Sequence, residues 1–224
     1  GLKIGADQEA WSVHQDAQIE FQRDHRLCFV AKGINPDHQN QARIKSSMPN
    51  AWSLIGQVEA QVNDDDTVNF YFKKEHHLMT VLEGGPYKYI GWMIVLDRWS
   101  NMRYPSFLRY IPFWIKINKL HAMYQKIGIV NSIGSKLGHV DEVLITEQIK
   151  THLPEVWVKV DFDVDSTITL ARSVEIMPNT PPVELEFKNT GLQKLCTTCG
   201  SFKHGYEVCP KVDDDREQSF YHCS

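Results

Sequence analysis

The sequence predicts an α+β protein: a ferredoxin-like β-α-β-β-α-β unit, then a second, smaller α+β unit, then a short loop rich in cysteine. Three observations predict it. Strand-length apolar runs and helical stretches alternate in that order, turn residues separate them, and three of the five cysteines cluster within fourteen residues near the end. With 224 residues, 42% of them hydrophobic, the chain can bury a core, which excludes wholesale disorder.

Residues 1–26 are polar and weakly patterned, an arm or short helix. The first unit spans 27–100. Residues 27–31 make an apolar strand ended by Gly33 and the Asn35-Pro36 turn signal. Residues 38–55 have helical character, with Pro49 expected to interrupt the helix. Residues 57–62 and 67–72 alternate around Asn63-Asp64-Asp65-Asp66, a hairpin. Residues 73–83 form a helix stopped by Gly84-Gly85-Pro86, and one strand over 89–96 closes the unit. Such a sheet carries two helices on one face and leaves the other bare, the face on which RNA recognition motifs stack bases.

The second unit spans 101–190. It reads as a strand at 113–117, a helix at 124–137 ended by Gly138, and strands at 140–146 and 156–164. A turn or short helix at 166–172, a Pro-rich loop at 177–182 and a strand at 183–187 complete it. The cysteine-rich loop occupies 191–211. An acidic tail over 212–224, with Asp213-Asp214-Asp215, is expected to be disordered.

No apolar run approaches the roughly 18–20 residues that span a bilayer, so no membrane partner is expected. No basic segment leads into an apolar stretch at the N-terminus, so no secretory signal is expected. The start at Gly1 points to a piece of a longer protein. Cys28, Cys196, Cys199, Cys209 and Cys223 are an odd, clustered set. That argues against a disulfide framework and for metal binding in a reducing compartment, the nucleus or the cytoplasm.

The spacing is Cys196-x2-Cys199-x4-His204-x4-Cys209. Zinc favours a closed tetrahedron of thiolate and imidazole, which Cys3His supplies in full, leaving no position for an activated water. One structural Zn²⁺ is predicted, and the loop is a zinc knuckle too small to fold on its own apolar surface. Phe202, Lys203, Tyr206 and Lys211 lie around His204, where rings can stack on unpaired bases and lysines can meet phosphate. Alternatively, the two aromatics cap the metal. His222 and Cys223 are expected to be spectators.

The net charge of −4 hides a basic stretch. Residues 86–140 hold eight basic side chains and one acid, Asp97, a net of +7. Ten aromatics interleave with them, the composition of a single-strand-binding surface. Trp92 and Trp114 are assigned to the core. Arg98, Trp99, Arg103 and Arg109, just past a strand, are the contact candidates; a plain solvated face is the alternative. Asp161, Asp163 and Asp165 alternate along a strand and could hold Mg²⁺ for phosphoryl transfer, but a solvent-facing strand explains them better. There is no phosphate-binding loop, dinucleotide fingerprint or nucleophile elbow, so no enzyme and no small-molecule substrate are predicted.

The stretch from Leu27 to Pro210 resembles a plant domain of unknown function followed by a CCHC zinc knuckle, found in the first-frame (Gag-like) RNA-binding proteins of LINE-type retrotransposons and in host genes derived from them. The matching pieces are Val81-Leu82-Glu83-Gly84-Gly85-Pro86, Trp92 through Arg98-Trp99, Ile111-Pro112-Phe113-Trp114-Ile115, Ile133-Gly134-Ser135-Lys136-Leu137-Gly138 and the knuckle itself. The resemblance implies an RNA-recognition-motif-like domain that binds RNA or single-stranded DNA, with possible self-association. It supports the four knuckle residues as ligands. Lys203 stands where family knuckles usually carry glycine, and the acidic C-terminal third differs from a retrotransposon coat; a host protein with a protein partner is the alternative.

Overall fold

A computed structural model of the chain describes residues 9–147 and 154–211. The predicted tail, with His222 and Cys223, lies outside the described residues. The architecture is α+β with two five-stranded antiparallel sheets. Helix α1 (Gln15–His25) precedes them.

The first sheet contains β1 (Cys28–Gly33), β2 (Val58–Val62), β3 (Val68–Phe72), β4 (Tyr87–Tyr89) and β5 (Trp92–Arg98), in the order β2-β3-β1-β5-β4. Leaving aside β4, this is the strand order of the ferredoxin-like plan. Two helices, α2 (Gln41–Ala51) and α3 (Glu75–Glu83), lie between its strands. Asn40 caps α2, its side chain accepting from the backbone N–H groups of Ala42 and Arg43. Ile44 and Met48 of α2 and Leu78 and Val81 of α3 meet Phe29, Phe70, Phe72 and Ile94 in the first core.

Two expectations change here. Pro49 does not interrupt α2: the helix runs through it to Ala51, at the cost of one helical donor, the one for the Lys45 carbonyl. The single strand at 89–96 is a hairpin, with β4 and β5 joined through Ile90 and Gly91, both at positive φ.

The second sheet contains β6 (Tyr110–Asn118), β7 (His139–Glu147), β8 (Pro154–Asp163), β9 (Ala171–Val174) and β10 (Val183–Asn189), in the order β7-β8-β6-β10-β9. Helix α4 (Ile127–Gly134) covers β7 and β8 and is shorter than the predicted helix, because a 3-10 turn (Ala122–Tyr124) precedes it. Gly134 permits that contact: a Cβ there would lie 2.7 Å from a Val158 methyl. The predicted turn at 166–172 runs into β9, which pairs with β10.

The second core ignores the boundaries at 100 and 190. Phe113, Ile115, Val158, Val160, Phe162 and Leu185 share it with Ile34, Met93 and Val95 from the first unit and with Phe202 from the cysteine loop. Burial of Met93 and Val95 has a consequence. They lie on the face of the first sheet opposite α2 and α3, because β5 alternates and Ile94 enters the first core. Elsewhere on that face His25 of α1 reaches Tyr71, its Nε2 lying 3.2 Å from the hydroxyl, and packs tilted against Trp99 with ring centroids 4.4 Å apart. The face expected to be bare is therefore covered at its centre, while Lys32, Glu59 and Gln61 on the same face are exposed.

Candidate metal centre and nucleic-acid surface

The side-chain donor atoms of Cys196, Cys199, His204 and Cys209 all lie within 4.8 Å of one another, the one convergent set of three or more such ligands among the described residues. Cys199 Sγ is 3.3 Å from His204 Nε2. Tetrahedral zinc with ordinary bond lengths would separate two sulfurs by about 3.8 Å and a sulfur from a nitrogen by about 3.6 Å. The four residues thus fit a closed Cys3His metal site.

The loop is built by its backbone. Gly200 N donates to the Cys196 carbonyl and Cys196 N to the Ser201 carbonyl, each at 2.8 Å. Gly200 sits at φ +75°, and a Cβ there would lie 3.0 Å from the Ile168 carbonyl oxygen. Glycine is required on both counts, since Ile168 N donates to the Gly200 carbonyl at 3.0 Å and ties the loop to the second unit. Burial opposes ionisation of Cys196, but backbone donors at Cys199 and Thr198 and the neighbouring thiols outweigh it and lower the thiol to about 6. Such a group gives up its proton to a cation readily. Cys28 is the contrast: burial in the first sheet pushes its thiol up to about 12.

Around the centre the predicted contact residues separate. Phe202 is wholly buried, its ring 5.1 Å from Phe162 and 5.9 Å from Phe113. The expectation that it stacks on bases is corrected: a short loop anchors itself by placing its most apolar side chain in the adjacent core. Tyr206 is 59% exposed, and Lys211 is exposed. Lys203, where glycine is usual, makes an ion pair with Asp165.

The basic stretch is not an island in space. Arg98 pairs with Glu75 at 2.7 Å and also donates to the Arg26 carbonyl; Arg103 pairs with Asp65; Arg109 pairs with Asp163 at 2.7 Å. Lys116 and Lys119 pair with Glu155 and Glu186. The acids that surround the stretch in sequence fold back onto it. Trp99, half-buried, packs against His25 and Phe21 rather than standing free. Asp163 and Asp165 hold Arg109 and Lys203, and the three aspartates form no convergent metal set with one another. The Arg109 guanidinium, with Lys203 adding to it, holds the Asp163 carboxyl below the usual carboxylate range.

Two residues from different predicted sites do meet. Arg109 and Lys203 line one groove between the units, of about 550 Å³, together with Lys32, Asp66, Asp165 and the Phe107 ring.

The second sheet also carries a surface that the sequence reasoning missed. Trp114, assigned to the core, alternates with buried Phe113 and Ile115 and is half-buried on the opposite face. Across the strands Trp114 faces Lys159 and Lys116 faces Trp157, with the Lys116 ammonium 5.6 Å from the Trp157 ring. The signal was the period-two pattern of β6 and β8, which puts these four residues together opposite the core.

No helix among the described residues is long and apolar enough to cross a membrane. No curated protein matches the chain. Among solved structures it is similar to an "SXL-lethal protein/RNA complex" (TM-score 0.27, 9% identity, 72% of this chain and 98% of that one). It is also similar to the N-terminal three RNA binding domains of the yeast splicing factor Prp24 (TM-score 0.28, 10% identity, 83% and 79%) and the C. elegans NONO-1 homodimer (0.29, 10%, 86% and 73%). At these scores the likenesses carry no argument about this chain. Residues 22–105, from the end of α1 through the whole first sheet into the linker, match the family described as "Domain of unknown function (DUF4283)", and a DUF4283 domain is found there.

Proposed function

We propose that the chain is a non-enzymatic, zinc-dependent binder of single-stranded RNA or DNA, the strand lying in the groove between the two units. The lining of one groove by both Arg109, just before β6, and Lys203, from the knuckle, carries this reading. Cations along a groove track a phosphate backbone, and an aromatic ring such as Phe107 accepts a base of any identity. The Lys203–Asp165 pair is exposed on both sides and such pairs hold weakly, so phosphate can take the place of Asp165. Tyr206 and Lys211, exposed on the knuckle, extend the path. Zinc, held by Cys196, Cys199, His204 and Cys209, would fix the loop that presents Lys203. The resemblance to retrotransposon-derived RNA-binding proteins agrees, and thiol ligands suit the nucleus or cytoplasm.

The test is fluorescence anisotropy with labelled single-stranded RNA, single-stranded DNA and duplex over a series of salt concentrations. Affinity should fall steeply with salt as counterions are released. Arg109→Gln and Lys203→Gln should each flatten the log–log slope by roughly 0.7. Equal slopes for parent and variants, or no single-strand binding at low salt, would overturn the reading.

A second reading, a protein-interaction scaffold with a structural metal, is favoured by one observation: Arg98, Arg103, Arg109 and Lys203 all already face carboxylates. It expects a specific protein partner retained after nuclease treatment and no intrinsic single-strand affinity.

A further inference from the structure

The two sheets share one strand order, yet the second unit lacks an element that the first possesses. In both, the first strand is central, a helix leads to the second strand, and a short strand pairs outside the last one. In the first unit α3 follows the third strand and lays Leu78 and Val81 into the core. In the second unit the corresponding link between β8 and β9, residues 164–170, contains no helix. Phe202 and Ile168 occupy part of the vacated side of the core. Between α4 and β9–β10 a groove of about 620 Å³ remains.

From this groove we infer a docking site for an amphipathic helix of a partner protein, one with acidic residues flanking an apolar stripe. Its floor is apolar, formed by Ile129, Ile133, Ile176 and Phe187, which suits the i, i+3 or i+4 anchors of a helix laid in a groove. Its wall on α4 presents Gly128 and Ser132, one turn apart, and a Cβ at Gly128 would meet nothing within 4 Å. Small side chains there let a second helix approach closely. The rim supplies the charge. Lys136 and Arg172 carry no ion pair among the described residues, and Glu175 is the one acid lining the groove. Within this chain the helix that fills the equivalent place, α3, begins with Glu75 and ends with Glu83.

The site is separate from the inter-unit groove, and its test is separate too. The probe is a fluorescein-labelled peptide of residues 74–84, stapled because so short a helix is marginal alone. Anisotropy against the full chain should show saturable binding, displaced by unlabelled peptide. Gly128→Leu, which fills the groove at an exposed helix position, should weaken binding about tenfold or more, and so should the pair Lys136→Glu and Arg172→Glu. These substitutions lie at the surface, and circular dichroism with an unchanged melting temperature identifies the variants that are folded. Absence of saturable binding, or equal binding by parent and folded variants, overturns the inference. So does equal binding of a probe carrying Glu75→Lys and Glu83→Lys. Single-strand affinity measured on the same variants should stay at the parental value, so the nucleic-acid reading stands or falls independently.

Discussion

Replacing Phe202 by alanine separates two roles that the same residue could play. As a base-stacking side chain its loss would weaken single-strand binding by roughly 1–3 kcal/mol and leave stability alone. In the structure the ring is fully buried between Phe113 and Phe162, so the expected effect is on folding. Truncating a buried phenylalanine costs about 3–5 kcal/mol, from lost transfer energy and the cavity left behind. Against a total stability of about 5–15 kcal/mol, that is a large fraction, a factor of roughly 10² to 5 × 10³ in the folded-to-unfolded ratio. Urea unfolding followed by tryptophan fluorescence, with zinc in excess, measures it. Trp114 and Trp157 report on the second sheet and Trp52 and Trp92 on the first. A loss of less than about 1 kcal/mol, within the range of ordinary surface substitutions and mild core changes, would refute the packing argument. Weakened binding at parental stability would restore the base-contact role.

The same anchoring makes metal a determinant of the second unit. Chelation, or Cys209→Ser, should lower the unfolding midpoint and free Phe202 from the core, and elemental analysis should find one zinc per folded chain. A midpoint unchanged by chelation would count against it. The Arg109–Asp163 pair has a pH signature. Because Arg109 holds the Asp163 carboxyl below its ordinary value, the stability it contributes is present above the unfolded-chain pKa of about 3.9 and is lost as pH falls through the lower folded value. Asp163→Asn should therefore be less stable than the parent by a constant amount at neutral pH, the two curves converging in acid; a gap that widened toward low pH would contradict the sign.

Much of the architecture was legible in sequence because it depends on local pattern. Strand-length apolar runs marked β1, β6, β7, β8 and β10, alternation marked β2 and β3, and the glycine and proline signals around residues 84–86 ended α3. Ligand spacing alone defined the candidate metal site, since the loop is short enough for four donors to converge whatever surrounds it. What failed were judgements about surfaces. Pairing of Arg98, Arg103 and Arg109 depends on acids that are distant in sequence, from Asp65 to Asp163, so a run of like charge could not reveal it. Phe202 looked exposed because a knuckle by itself has no interior; only the neighbouring sheet provides one. Strand periodicity can say that Trp114 and Phe113 point opposite ways, but not which way is inward.

Sequence by itself therefore determined the donor set and the element order except for the short strands β4 and β9, since these features are set by short-range periodicity, turn chemistry and ligand identity. Tertiary structure decided which faces are free. It covered the centre of the first sheet's face opposite α2 and α3, burying Met93 and Val95 and laying His25 and Trp99 beside Tyr71, and left the groove beside α4 open. The physical reason is that burial and charge pairing belong to contacts between segments far apart along the chain. A local pattern supplies both partners of such a contact without saying that they meet.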